Sequence, residues 1–172
     1  MSYLTNPYRY PLPLVVWYDT LDGSPDENGQ IDVVGNITAR GEASRASDSA
    51  MNGESVRRVR CYLKKATGAS GTITCKISAV ADNTTRSTIG TYEAGDLTTS
   101  YQLISFETAT SYTLVEGDTV CVSFEDTGEI FTTQTHNYSA YDGTKSGKSY
   151  FLYGTSAWAS DGGEDWIAEF SG

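Results

Sequence analysis

The sequence predicts an all-β fold in which two facing antiparallel sheets form a sandwich. The composition favours strands, because the chain of 172 residues contains 12 tyrosines, 17 glycines and only 20% charged residues, and aromatic and β-branched side chains fit the pleated surface of a sheet. Between residues 56 and 126 the side chains alternate with a period of two, as half-buried strands require. We therefore expect almost no helix and one hydrophobic core.

The first element is an extended N-terminal arm over residues 1–16. Proline fixes φ and lacks a backbone donor, so the prolines of this segment oppose both a helix and a central strand. The tyrosines between them suit an interface. The arm packs either on its own sandwich or on a neighbouring subunit, and the sequence does not choose between the two. The prolines are Pro7, Pro11 and Pro13, and the candidate partner-binding tyrosines are Tyr3, Tyr8 and Tyr10.

The remaining residues, 17–172, are expected to form a single domain. Short strands are predicted near 15–18 and 31–38, and the segment 39–54 shows no clear period and is predicted to be a long loop. From residue 56 onward, strands and turn residues recur at the spacing typical of a sandwich. These strands are predicted at 56–65, 72–80, 87–91, 101–108, 112–115, 119–125, 130–139, 149–154 and 165–171.

The charge excludes several partners. The formal net charge is −10, so phosphate backbones and anionic membrane surfaces repel this chain, and we expect no nucleic-acid partner. A basic run at 57–65 is the exception, but the alternation points Arg58, Arg60 and Lys64 out of one strand face, which is typical of a solvated or interface-facing strand. The longest apolar run, 12–18, is too short to cross a bilayer, so no membrane insertion is expected.

The three cysteines match no zinc or redox spacing, and three thiols cannot all pair within one chain. Cys61 and Cys75 fall on apolar registers, which predicts small core residues. Cys121 is out of phase with Val120 and Val122, so we expect it to face the other side of its strand, where another chain is one candidate to cover it.

One loop has the partial pattern of a calcium site. Residues 22–32 carry oxygen ligands at alternate positions with a glycine at the turn, and Asp26, Asn28 and Asp32 are the candidate ligands. Ser24 and Gly35 stand where two strong acidic ligands belong. The sequence therefore favours an ordinary turn between two strands, with calcium as the only cofactor that it suggests.

The sequence contains few residues that could act in catalysis. His136 is the only histidine, and it lies in a polar stretch with no nucleophile elbow nearby. Paired carboxylates can cleave glycosides, but among 22 acidic residues chance pairs are many and the sequence singles out none. We expect a surface or interface histidine and a protein that is not an enzyme.

Exposed aromatic rings are the remaining candidates for a ligand site, because sugar rings stack on them by apolar contact. Trp166 is in register with Ala168 and Phe170, which predicts a core position. Trp158 follows the loop that begins at Gly154, where we expect it to be exposed. The candidate ligand-binding residues, for a sugar or a protein partner, are Trp158, Tyr138, Tyr141 and Tyr153.

The order of these segments resembles a known family. The run 54–77, ESVRRVRCYLKKATGASGTITCKI, is similar to the first core hairpin of choice-of-anchor and carbohydrate-binding-module-like jelly-roll domains. Segments 89–91, 97–106 and 114–124 resemble the rest of that core, and 149–158 with 165–170 resembles its closing strands. The resemblance implies an antiparallel jelly-roll sandwich. Such domains serve as sugar-binding appendages of secreted enzymes, as cell-surface modules and as building blocks of phage and virus particles.

These observations lead to one functional expectation and one alternative. The resemblance and the lack of a catalytic group predict a structural subunit of a virion, such as a capsid-associated, decoration or tail protein, whose partners are copies of itself and other capsid or tail proteins. The alternative is a carbohydrate- or receptor-binding module that contacts cell-surface glycans. The N-terminus lacks the pattern of a signal peptide, so the expected location is the virion, or otherwise the extracellular space without a classical signal.

Overall fold

A computed structural model describes residues 18–19, 29–33, 37–44, 51–65, 70–124, 131–137, 148–153, 157–160, 164–166 and 168–172. The predicted arm over 1–16 lies outside this set. The only helical element among the described residues is a short 3-10 turn at Ala94–Asp96. No helix in these segments is long and apolar enough to span a membrane. The prediction of an all-β chain with almost no helix is confirmed for the described residues.

Thirteen strands occupy the described part of the chain. They are β1 (Tyr18–Asp19), β2 (Gly29–Val33), β3 (Ile37–Ser44), β4 (Ser55–Lys65), β5 (Thr72–Ala79), β6 (Thr85–Glu93), β7 (Gln102–Thr113), β8 (Asp118–Phe124), β9 (Phe131–Asn137), β10 (Lys148–Tyr153), β11 (Ala157–Ser160), β12 (Glu164–Trp166) and β13 (Ala168–Ser171).

The strands form two antiparallel sheets. In the seven-stranded sheet the order is β1-β13-β4-β9-β12, with β7 on the other side of β4 and β2 paired with β9. In the six-stranded sheet the order is β11-β10-β3-β8-β5-β6. Strands far apart in the sequence are therefore neighbours, which is typical of a sandwich whose connections cross between its sheets.

The core lies between the two sheets and follows the predicted alternation. In β4 the inward residues include Val59, Cys61 and Leu63, and the facing residues of β5 and β8 are equally buried. Trp166 and Phe170 stand beside each other in this core, with ring centroids 6.3 Å apart. Full burial of each large apolar side chain contributes about 1.5–3 kcal/mol, so this layer stabilises the sandwich. The core positions predicted for Cys61, Cys75, Trp166, Ala168 and Phe170 are confirmed.

The prediction of a single strand at 31–38 and a loop over 39–54 was wrong. The segment contains two strands in different sheets, since β2 pairs with β9 and β3 pairs with β8 and β10. β3 has no apolar period because Arg40 and Glu42, which pair with the core residues Val122 and Val120 of β8, are charged, and the residues beside them are small. A Cβ added at Gly41 would lie 2.2 Å from the backbone oxygen of Val120 and 2.5 Å from the Cβ of Cys121. β3 lacks the hydrophobic pattern that normally identifies a strand, and it is held in the sheet by its close pairing with β8.

Two further predictions of strands were wrong in detail. The strands expected at 101–108 and 112–115 are one long strand, β7. Its pairing with β4 is irregular in the middle, where the four residues 108–111 lie opposite a single residue, Arg57. The strand expected at 165–171 is divided into β12, which pairs with β9, and β13, which pairs with β4. In both cases the choice of partner strand, which local alternation does not encode, decided where a strand begins and ends.

Candidate functional site

The outer face of the seven-stranded sheet carries the basic run seen in the sequence. Because Val59, Cys61 and Leu63 point into the core, the residues between them point outward. Arg58, Arg60 and Lys64 stand on this outer face, as the alternation predicts. The face is therefore cationic along β4, although the chain as a whole has a formal net charge of −10.

Ion pairs hold most of these cations in place. Glu107 of β7 accepts hydrogen bonds from Arg58 Nη2 at 2.8 Å and from Arg57 Nη2 at 2.7 Å. These two guanidinium groups hold the pKa of Glu107 below its usual value of 4.5, with Arg58 the larger cause. On the other side of β4, Arg60 Nε donates to Glu169 Oε2 of β13 at 2.6 Å. The side chains of these pairs are 30–45% exposed, so solvent screens the pairs and they order the surface more than they stabilise the fold.

An apolar pair lies on the same outer face, two residues beyond Arg60 along β4. Tyr62 and Leu103 are direct cross-strand partners on β4 and β7, and 38% and 45% of their surface is exposed. Next to them, the ammonium of Lys64 lies 4.5 Å from the centre of the Tyr101 ring, which is within cation–π range. We call these four residues, Tyr62, Lys64, Tyr101 and Leu103, the Tyr62–Leu103 patch.

The third large exposed apolar side chain of the described residues stands at the tip of the turn between β7 and β8. Val115 is 53% exposed. Its backbone N–H donates to Asp118 Oδ2 at 3.0 Å, and the Asp118 N–H donates back to the Val115 oxygen at 3.0 Å. Gly117 takes a φ of +90°, which glycine adopts without strain. We call residues 114–118 the Val115 turn.

Trp158, the tryptophan expected to be exposed after the loop that begins at Gly154, is partly exposed. It belongs to β11, where it pairs with Leu152 of β10, and its side chain is half-buried. Its indole N–H donates to Asn83 Oδ1 at 3.2 Å. Asn83 stands in the turn between β5 and β6 with a φ of +56°, a conformation that asparagine tolerates better than most residues.

The outer face of the six-stranded sheet explains the position of Cys121. The residue is out of phase with the core, as predicted, but it is fully buried within this chain, so no second chain is needed to cover it. Its cross-strand partners are Gly41 on β3 and Lys76 on β5. Burial raises the pKa of the Cys121 thiol to about 12, and the nearby charge of Lys76 and the side chain of Ser78 offset this only in part.

The other predicted site residues are not brought together by the described structure. Tyr153 ends β10 and Asp32 lies within β2, opposite Thr132 of β9. His136 is in β9, where its backbone partner is Asp165 of β12. In the described segments no group of three His, Cys, Asp or Glu residues is placed to hold a metal ion. The remaining predicted residues lie outside the described set, and they are Tyr3, Tyr8, Tyr10, Asp26, Asn28, Tyr138 and Tyr141.

The sequence contained part of the signal for the Tyr62–Leu103 patch. Tyr62 alternates with Cys61 and Leu63, and Leu103 precedes the inward Ile104, so the outward direction of each residue follows from its own strand. That the two stand opposite each other depends on the pairing of β4 with β7. The arrangement offers apolar contact surrounded by oriented charges, which is the anatomy of a protein–protein contact. Comparison with protein-family models, with curated proteins and with solved structures finds no match to this chain.

Proposed function

We propose that this chain is a non-enzymatic structural subunit of a virion or a similar assembly, and that it acts through protein–protein contacts with copies of itself and with other capsid or tail proteins. The observation that carries the proposal is the Tyr62–Leu103 patch. In this proposal the two sheets have the jelly-roll connectivity of the family that the sequence resembles, and residues 1–16 form an arm that adds to the contacts.

The patch supports this function through its composition and its surroundings. Tyrosine is enriched at the centre of protein interfaces, and arginine, which flanks the patch on β4, is enriched there as well. Tyr62 and Leu103 are held on two paired strands, so little conformational entropy is lost when a partner covers them. The ion pairs of Arg58 and Arg60 form an ordered polar rim beside them.

The edge of β7 that pairs with no described strand adds a second surface for contacts. Among the described strands, β7 pairs only with β4 and β6 pairs only with β5. Backbone donors and acceptors along an edge strand are a template for pairing with another chain. In a free monomer such an edge is a liability, and in an assembly it is a site of attachment.

Sedimentation velocity tests the proposal. The wild-type chain is expected to form species larger than a monomer at micromolar concentrations, and Leu103→Asp is expected to weaken this association at least tenfold, because a buried unpaired charge is costly. Thr110→Asp is the matched control, since it places the same charge at an exposed position of the same strand outside the patch. A wild-type chain that stays monomeric up to millimolar concentration, alone and with candidate capsid proteins, contradicts the proposal.

A second candidate function is a carbohydrate- or receptor-binding module, and the observation that favours it is the fixed orientation of the Trp158 ring. The hydrogen bond to Asn83 fixes the orientation of a half-buried indole, and a ring held in place suits stacking against a sugar. A glycan array tests this function. Binding that is lost in Trp158→Ala, kept in part in Trp158→Phe and unchanged in Leu103→Asp would place the sugar function above the structural one.

A further inference from the structure

The Val115 turn and the Tyr62–Leu103 patch lie at opposite ends of β7. Leu103 is the second residue of this strand, and Val115 stands two residues beyond its last residue, Thr113. At about 3.3 Å per residue the two are separated by roughly 30–40 Å along the strand. One copy of the chain cannot bring them together, whereas two copies displaced along β7 can.

The Val115 turn is a preformed projection. Leu114 anchors it in the core, and its backbone exchanges hydrogen bonds with residues 53 and 54, each 2.9 Å long. The Gly117 oxygen accepts from the Val80 N–H at 2.8 Å, which ties the turn to the neighbouring turn between β5 and β6. A β-branched apolar side chain at the tip of such a fixed turn binds a partner at a small entropic cost.

The charges around the two surfaces are of opposite sign. Near the turn there are four carboxylates, from Glu54, Asp82, Glu116 and Asp118, against one cation, Arg86, whose Nε lies 4.0 Å from Asp118 Oδ1. On the outer face of β4, towards the patch, there are three cations, from Arg58, Arg60 and Lys64, against the carboxylates of Glu107 and Glu169. Arg57, which also pairs with Glu107, lies on β4 between the two surfaces. Opposite potentials favour this contact and disfavour the contact of two identical faces.

We propose that these two surfaces bind each other in a head-to-tail contact between copies of the chain. Val115 of one copy packs against Tyr62 and Leu103 of the next, and Glu116 approaches Lys64. This inference rests on the proposed function and specifies its partner as a second copy of the same chain. Because the two surfaces differ, the contact is heterologous, so repetition produces a closed ring or an open filament and not an isolated symmetric dimer.

Cross-linking tests the contact directly. Val115→Cys and Leu103→Cys are prepared as separate proteins, mixed, and treated with a short bis-maleimide. The three native cysteines are buried, so they do not compete for the reagent. The mixture is expected to yield a covalent dimer that contains one chain of each variant, with a cross-link between positions 115 and 103, and neither variant alone is expected to yield a dimer.

Charge reversal provides an independent test in the full chain. Glu116→Lys and Lys64→Glu are each expected to reduce association about tenfold, and an equimolar mixture of the two is expected to restore it, because every contact in an alternating chain then joins opposite charges. Glu116→Lys also reduces the formal net charge of −10 by two units in magnitude. General repulsion between copies therefore falls in this variant, and a loss of association identifies a local contact.

The outcomes separate this inference from the proposed function. The head-to-tail contact is overturned, and the structural function stands, if the wild-type chain assembles but the mixture of Val115→Cys and Leu103→Cys gives no 115–103 cross-link. A dimer formed by Leu103→Cys alone leads to the same conclusion. The same holds if the mixture of charge variants fails to restore association. A wild-type chain that never assembles overturns both.

Discussion

At the scale of single residues, the close approach of β3 to β8 limits the size of the side chains that fit between them. Gly41 and Cys121 are direct partners on β3 and β8, and the two strands come together at this point because one partner has no side chain. Cys121 is a small buried residue opposite it, and Lys76 covers the other side of the pair. Around Cys121 the outer face of the six-stranded sheet is thus fully buried, although its residues there are small or polar.

Replacing Gly41 with alanine is expected to destabilise the protein by about 1–3 kcal/mol, the usual cost of overpacking a close contact. The new Cβ would lie 2.2 Å from the Val120 oxygen, so β3 must move away from β8. Urea denaturation measures the change in the free energy of unfolding. Gly95→Ala is the control, because a Cβ there meets no atom within 4 Å, and a loss of equal size in both variants would show that packing at Gly41 is not the cause.

The three thiols are expected to be unreactive in the native protein. Burial raises the pKa values of Cys61, Cys75 and Cys121, so the thiolate that reacts with alkylating reagents is scarce at pH 8. Labelling with a maleimide followed by mass spectrometry should therefore find no adduct under native conditions and three adducts in denaturant. A single fast adduct on the native chain would mean that one thiol is accessible.

At the scale of elements, β4 is the centre of the seven-stranded sheet and connects its other parts. It pairs with β13 and β9 on one side and with β7 on the other. Inward residues of β4 build the core, and its outward cations meet Glu107 on β7 and Glu169 on β13. The same strand therefore supplies both the stability of the sandwich and the surface to which we assign its contacts.

The ion pairs between β4 and β7 are expected to stabilise the fold at neutral pH and not at low pH. The pKa of Glu107 is lowered in the folded state, so its contribution is fully present above about 4.5 and is lost as the pH falls through the lower folded value. In urea titrations, Glu107→Gln should be less stable than the wild type at pH 7, and the difference should shrink as the pH is lowered from about 4.5 towards 2.5. A difference that stays constant across this range would exclude the ion pairs as its source.

At the scale of the whole molecule, one core joins two sheets whose outer faces differ. The outer face of the six-stranded sheet is fully buried along β8. Along β4 and β7, the outer face of the seven-stranded sheet is partly exposed and charged, with an apolar patch. This asymmetry favours contacts through the face that carries the Tyr62–Leu103 patch.

Removal of a central core side chain is expected to weaken the whole sandwich. Trp166→Ala deletes a fully buried ring beside Phe170 and should cost about 3–5 kcal/mol. Denaturation monitored by circular dichroism should show a lower midpoint with an unchanged slope. Tyr62→Ala, at an exposed aromatic position of the adjacent sheet face, is the control and should change the stability little.

Local sequence is enough to predict the direction of the side chains within most strands. Alternation is a property of the extended backbone, so it placed Cys61, Trp166 and Phe170 in the core and Arg60 and Lys64 outside without knowledge of any neighbour. It failed where a strand is defined by its partner. β3 is rich in small residues and β11 has only four residues, so neither shows a periodic pattern. They become strands because β8 and β10 pair with them.

Which residues meet depends on how the strands pair in the folded chain. The tertiary structure placed Tyr62 opposite Leu103, buried Cys121 within its own chain, and connected Trp158 with Asn83 across the six-stranded sheet. Tyr62 and Leu103 lie 41 positions apart in the sequence, and Asn83 and Trp158 lie 75 positions apart. The burial of Cys121 likewise depends on β3 and β5, which are distant from it in the sequence. Local backbone geometry carries no information about such pairs, because they follow from the way in which the whole chain closes around its core.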